Sequence, residues 1–379
     1  MYITTYFFKG HFCNISMKTK KKVLIIIVVA LIVIIVSAGF LIKNGTIGKP
    51  VLGKETIKIG FTTALSGNYA YIGEDVLRGV KEAIDESNNK EVLNRKIELL
   101  IEDNQADPKT AVTSYQLLKS EGVNVVFSSF STITEALSPL ANQDKTILMY
   151  EALPTTYAEK YNYTFKVYSN ANQEAEAITN AVKKSNDKTA FVYVNNPATI
   201  ALRQIFVQKM GNMEEYKFEV NDDDFRTIIL KLKSNNVENV ILNGYPKQIL
   251  AFIKQSVELD YNVKKIFVTS DGGSKDVVDN VESSLNNSKI EYILVGYGPQ
   301  SKEIYYVFSY DSAKVLIEGM KSCQNLGKRA DDPECLKIEL QKVKINGKSG
   351  FVDMNNSRIA QMSPQLYTVK NKELVPYAI

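Results

Sequence analysis

Histidine is nearly absent from this chain: its 379 residues contain one, His11. No Ser/His or Cys/His nucleophile pair can therefore form in the body of the sequence, and no histidine-containing metal constellation is available there. Nucleotide-binding signatures are missing too, with no GxxxxGK[ST] run and no GxGxxG after a strand. Cysteine is scarce, and because none stands directly after the apolar run near the N-terminus there is nothing for a lipoprotein anchor to acylate. Charge of one sign is also lacking. The formal +4 arises from residues 1–50, which hold seven lysines and no acid, and the remaining 39 basic and 42 acidic residues leave −3. A body so near neutrality gives no electrostatic case for nucleic acid. Acids are plentiful, but no spacing singles out a carboxylate pair, so the chain reads as a non-enzyme without cofactor or metal.

What the chain has is, first, a basic cluster followed by an apolar run. Lys18-Thr19-Lys20-Lys21-Lys22 precedes residues 23–42, which carry no charge and are dominated by Ile, Val and Leu. Twenty such residues at ~1.5 Å each span a hydrocarbon core of ~30 Å. The positive-inside rule makes 1–22 a cytoplasmic leader, 23–42 a transmembrane anchor, and everything beyond extracytoplasmic, a single-pass cell-membrane protein. A signal peptide with a cleavage site at Val36-Ser37-Ala38 competes with this reading, and Met17 competes with Met1 as the start. Residues 43–55, with Gly45, Gly48, Pro50 and Gly53, read as a tether. Cys323 and Cys335, in a polar stretch with no histidine near, read as a disulfide closing a surface loop rather than as a metal site, in keeping with export.

The body alternates between two hydrophobic periods. Apolar runs at 57–63, 96–102, 123–128, 146–150, 188–194, 216–220, 238–243, 265–269 and 291–295 read as strands. Helical patterns lie between them, including one carrying Val76, Leu77, Val80, Ala83 and Ile84, and others at 110–120, 133–143, 173–185, 199–210, 225–234 and 247–259. Several strands are continuously apolar, as expected where helices cover both faces of a parallel sheet. The alternation occurs twice, with a seam at 165–172, and it ends in a long helix (304–320), the cysteine loop, a helix at 334–343 and final strands near 350–354 and 365–377. The fold class is α/β, with two doubly wound parallel-sheet lobes and a cleft at the strands' carboxyl ends.

The first strand runs into Ser66-Gly67 just before a helix, offering a hydroxyl and open backbone N–H groups to an anion such as a carboxylate; capping and turning alone are the alternative. Leu65-Ser66-Gly67, Gly73, Gly79 and the run Ile97-Glu98-Leu99-Leu100-Ile101-Glu102-Asp103-Asn104-Gln105-Ala106-Asp107-Pro108 resemble the opening of the leucine/isoleucine/valine-binding family, type I periplasmic substrate-binding proteins that serve ABC transporters. The likeness extends from about residue 57 to the C-terminus. It implies a three-stranded hinge joining lobe 1 (56–170 plus 298–346) to lobe 2 (171–297 plus 347–379).

Strand-end loops supply the candidate site. Ser128-Ser129-Phe130-Ser131-Thr132 places four hydroxyls before a helix that needs one as its cap. The family pattern maps onto Ser129, the Leu153 carbonyl and Thr155 for the ligand's carboxylate and amine, onto Tyr245 for an aromatic wall, and onto Asp271 as the acid facing the ammonium. Ser66 joins these, and Tyr71, with Tyr69, supplies stacking or cover. The chain departs from the pattern at Ala198-Thr199, where relatives often carry Tyr-Gly. The resemblance implies a monomeric solute-binding protein that closes on an amino acid, branched-chain or similar, or on a related small zwitterion, and hands it to an ABC permease. A ligand-sensing receptor ectodomain of the same fold, for an amide or a carboxylate, is the alternative, and a carboxylate enzyme a more distant one.

Overall fold

Residues 56–298 and 303–378 are described in a computed structural model of the chain. The apolar run 23–42, the leader before it and the tether after it lie outside these residues. Among the described residues no helix is long and apolar enough to cross a membrane.

The first apolar runs pair into a five-stranded parallel sheet in the order β2-β1-β3-β4-β5, made of β1 (Ile57–Thr63), β2 (Ile97–Asp103), β3 (Val125–Ser129), β4 (Ile147–Glu151) and β5 (Thr164–Lys166). Helices α1 (Ala70–Asn89), α2 (Pro108–Ser120), α3 (Ser131–Gln143) and α4 (Thr156–Lys160) connect these strands. β3 and β4 are buried along their whole length, which explains their unbroken apolar character.

The second sheet takes up the pattern after α5 (Ala171–Val182). Its parallel strands are β6 (Thr189–Val194), β7 (Glu214–Phe218), β8 (Asn239–Asn243), β9 (Lys265–Val268) and β10 (Glu291–Gly296), interleaved with α6 (Pro197–Met210), α7 (Arg226–Ser234), α8 (Pro246–Glu258) and α9 (Lys275–Leu285). Two antiparallel strands, β13 (Gln365–Lys370) and β14 (Glu373–Pro376), extend it, giving the order β14-β13-β10-β9-β8-β6-β7.

Between β10 and β13 the chain returns to the first half. α10 (Ile304–Asn325) packs along α1, close enough that a Cβ on Gly79 would lie 2.1 Å from Ser309 Oγ, so only glycine admits the approach. Gly73, earlier in α1, has a similar reason: its Cβ would fall 1.8 Å from the Ala64 carbonyl oxygen. α11 (Pro333–Glu339) and a hairpin of β11 (Lys344–Gly347) and β12 (Gly350–Asp353) follow. Cys323, at the end of α10, and Cys335, in α11, are disulfide-bonded, with Cα atoms 5.9 Å apart.

Several boundaries differ from the sequence reading. α1 starts at Ala70, directly after a single 3-10 turn, so the first loop is shorter than its small residues imply. The strand expected at 216–220 lies at 214–218 on the sheet edge, where alternation is weak. The run 365–377 is a hairpin, turned by Asn371 and Lys372 at φ 54° and 59°. α9, buried through Val277, Val278 and Val281, is a helix that the alternation had not marked. The chain passes between the sheets three times, at 167–170, between β10 and α10, and again before β13. A bridge between Lys166 and Ile359 keeps the last stretch with the first sheet almost to β13, past residue 346, where the sequence reading had put the boundary.

Candidate functional site

A cavity of about 250 Å³ lies where the carboxyl ends of the two sheets face each other. On the first-sheet side, β3 ends in Ser129, whose hydroxyl bonds the Thr63 hydroxyl at the end of β1. The next residue, Phe130, has φ 69°, an unusual conformation for a bulky side chain, and it turns the chain directly into α3. No side chain caps α3, so its first N–H groups are left to whatever occupies the cavity, and Ser131 and Thr132 line the same wall. That is an arrangement suited to a carboxylate.

The neighbouring strand β4 ends in Glu151, paired in register with Ser129 and 6% exposed. Its Oε2 has no hydrogen-bond partner among the described residues. Burial pushes this carboxyl well above its ordinary range, and Lys166 pulls weakly the other way. Lys166 itself is fully buried, and its ammonium donates to the carbonyls of Tyr168 (3.0 Å) and Ser169 on the first passage between the sheets. Desolvation brings its pKa down to about 7, against the opposing pull of Glu174 and Glu151.

On the second-sheet side the polar groups are largely spent on one another. Asn196 Oδ1 accepts from the backbone N–H of Thr199 (2.9 Å) and from its hydroxyl (3.0 Å), and that hydroxyl also lies 2.7 Å from Asn243 Oδ1. The Asn243 amide in turn donates to Thr269 Oγ1 at 3.0 Å. Glu174, buried in α5, accepts from the Ser270 backbone N–H at 3.2 Å. Asp271 stands apart from this network. Tyr305 donates to its Oδ1 at 2.8 Å, and the carboxylate keeps partial exposure to the cavity. The enclosing protein nevertheless desolvates it enough to push its pKa up to about 7, with Tyr305 holding it down and Glu174 adding to the rise. Tyr69, from the turn before α1, meets Tyr245, from the turn before α8, with ring centroids 5.1 Å apart, and Phe130 at 5.8 Å. The first of these contacts crosses the cleft.

Of the residues proposed from sequence, the cavity brings together Ser129, Leu153, Tyr245 and Asp271. It does not include Ser66, Tyr71 or Thr155. Ser66 is exposed and turned toward Asp103, which also accepts from the Leu65 backbone N–H. Tyr71 is not among the lining residues and has the Lys247 ammonium 5.8 Å from its ring centroid, while Tyr69 takes the lining position. The Thr155 hydroxyl donates to Glu159 at 2.7 Å within α4. Sequence reasoning missed Glu151, Glu174, Tyr168 and Tyr305 as lining residues. For Glu151 a signal existed: a charge closing an otherwise apolar strand, Ile147-Leu148-Met149-Tyr150-Glu151.

A family model described as periplasmic binding protein matches residues 56–288. The chain belongs to this family. Among curated proteins it is similar to Leu/Ile/Val-binding protein homolog 2 of Brucella abortus, 25% identical over 257 residues that cover 65% of this chain and 68% of that protein. The family expectation drawn from the opening motifs is thus met. Among solved structures, the leucine binding protein LivK of Thermotoga maritima superposes with a TM-score of 0.74 at 18% identity, covering 85% of this chain and 98% of that one. LivJ of Streptococcus pneumoniae, in complex with isoleucine, gives 0.71 at 18% (85% and 100% covered), and a Rhodopseudomonas palustris solute binding protein in complex with 4-hydroxybenzoate gives 0.71 at 20% (86% and 96%). The fold therefore serves both amino acids and aromatic acids, and the choice rests with side chains.

Proposed function

We propose that this protein is the extracytoplasmic solute-binding component of an ABC transporter, tethered by its N-terminal apolar segment, and that it takes up an amino acid between its two sheets. The carrying observation is the pairing of unlike walls across one small cavity: an uncapped helix N-terminus with Ser129, Ser131 and Thr132 on one side, and Asp271 on the other. Such a pair complements a molecule with a carboxylate at one point and an ammonium at another. The aromatic acids bound by some structural neighbours would place no cation against Asp271, which argues for the amino-acid side of the family. The three passages between the sheets supply the hinge, and the ligand stabilises the closed form by touching both walls at once. The test is a melting-temperature screen of the purified protein against the twenty amino acids, small amides and aromatic carboxylates. A rise confined to molecules with both an ammonium and a carboxylate is expected. Equal shifts with benzoate-type acids, or none with any amino acid, would overturn the proposal.

A further inference from the structure

The cavity holds more carboxyl groups than one ligand ammonium can answer. Glu151, Glu174 and Asp271 all line it, and Lys166, the cation that Glu151 and Glu174 act on among the described residues, has its ammonium held by the carbonyls of Tyr168 and Ser169. A single ligand ammonium on Asp271 leaves the Glu151 side chain as it stands: buried, with an Oε2 that has no hydrogen-bond partner among the described residues, and directly paired in register with Ser129. A buried carboxyl without a partner is destabilising by itself, and a ligand cation delivered to it recovers that loss on binding. The remaining wall favours such a cation, since Tyr69, Phe130, Tyr168, Tyr245 and Tyr305 surround the space with aromatic rings. A monoanionic ligand brings no cation to any of these carboxyls.

Building on the amino-acid reading above, we infer that the cavity selects ligands with two ammonium groups, one set against Asp271 and the second against the unpartnered carboxyl of Glu151. Basic amino acids of the lysine and ornithine type carry both groups together with a carboxylate, whereas diamines carry them without it. A neutral branched-chain amino acid fills the same space but leaves Glu151 unanswered.

Isothermal titration of the full chain with lysine, ornithine, putrescine, cadaverine and leucine tests this, in the wild-type protein and in the Glu151→Gln variant. Lysine or ornithine is expected to bind more tightly than leucine, and the variant is expected to reduce that preference by roughly tenfold to a hundredfold. If diamines bind as well as the basic amino acids, the two-ammonium selection stands and the carboxylate contact is dispensable. Leucine binding as tightly as lysine, or a preference unchanged in Glu151→Gln, overturns the inference while leaving the solute-binding proposal intact. The solute-binding proposal has a separate control in Asp271→Asn, which should weaken every ligand. Melting curves of both variants confirm that loss of binding is not loss of fold.

Discussion

The two walls of the cavity are prepared in different ways. On the first-sheet side, polar groups are left open: α3 starts without a side-chain cap, Phe130 holds a strained φ, and a carboxyl oxygen of Glu151 has no partner among the described residues. On the second-sheet side, Asn196, Thr199 and Asn243 satisfy one another, Asp271 is the carboxylate left partly exposed to the cavity, and one oxygen of the buried Glu174 has no partner among the described residues. One wall therefore presents many groups whose hydrogen bonds are completed by the occupant, while the other presents the partly exposed Asp271 on a largely prewired support. Specificity for the ammonium should rest on one residue. Specificity for the rest of the ligand should be distributed.

The largest effect should come from removing the Asp271 charge. Asp271→Asn keeps the shape and the Tyr305 contact but leaves the ligand ammonium desolvated against a neutral amide, and a loss of about a hundredfold in affinity is expected by calorimetry. If Asp271→Asn binds within a few-fold of wild type, the division of labour between the walls is wrong.

Next in size is a change to the support. Asn243→Ala strips partners from Thr199 and Thr269 inside a buried network, which should lower unfolding free energy by about 1–3 kcal/mol in chemical denaturation, with a smaller effect on affinity. An affinity loss exceeding the stability loss would mean that Asn243 touches the ligand and that the second wall is not prewired. A pH series sharpens the same contrast. With its pKa at about 7 in the free protein, Asp271 must give up its proton before it can pair with an ammonium, so protons and ligand compete. The groups around it, Glu174 from α5, Tyr71 from α1, Tyr245 and Tyr305, supply no cation to offset the burial. Affinity should be level above neutrality and fall toward about tenfold per unit below pH 7. A flat profile from pH 5 to 8 would show Asp271 already ionised in the empty cavity.

The asymmetry also explains what could be read from sequence. The central strands β3, β4 and β8 were legible because they are buried along their whole length and so carry apolar runs, and the serine-rich loop after β3 was legible because its hydroxyls exceed what a cap needs. Asp271 came from the family pattern, which places an acid in the loop after β9. Thr155 and Ser66 were misjudged for the same reason: a hydroxyl in the correct loop has local partners, Glu159 and Asp103, that compete with any ligand, and loop position does not reveal which partner wins. Glu174, Tyr168 and Tyr305 were invisible because they come from the passages and helices that bring the two halves together. Their approach to Asp271 is a product of tertiary packing, across 34 residues of chain for Tyr305 and about 100 for Glu174 and Tyr168, which no local pattern records.

The smallest predicted effect concerns the one contact that joins the walls directly. Tyr69 and Tyr245 come from the turns before α1 and α8, and their rings meet across the cleft with a 54° interplanar angle. Such a pair contributes about 0.5–1.5 kcal/mol beyond the area it buries. Because it forms only when the halves are together, it favours the closed form with or without ligand. Tyr69→Ala should therefore weaken binding of every ligand by a similar factor, about threefold to tenfold, mainly by speeding dissociation, whereas Glu151→Gln should discriminate between ligands. Stopped-flow dissociation rates with two chemically different ligands separate the cases. A Tyr69→Ala effect confined to one ligand would move this tyrosine from a clasp between the walls to a direct contact with the cargo.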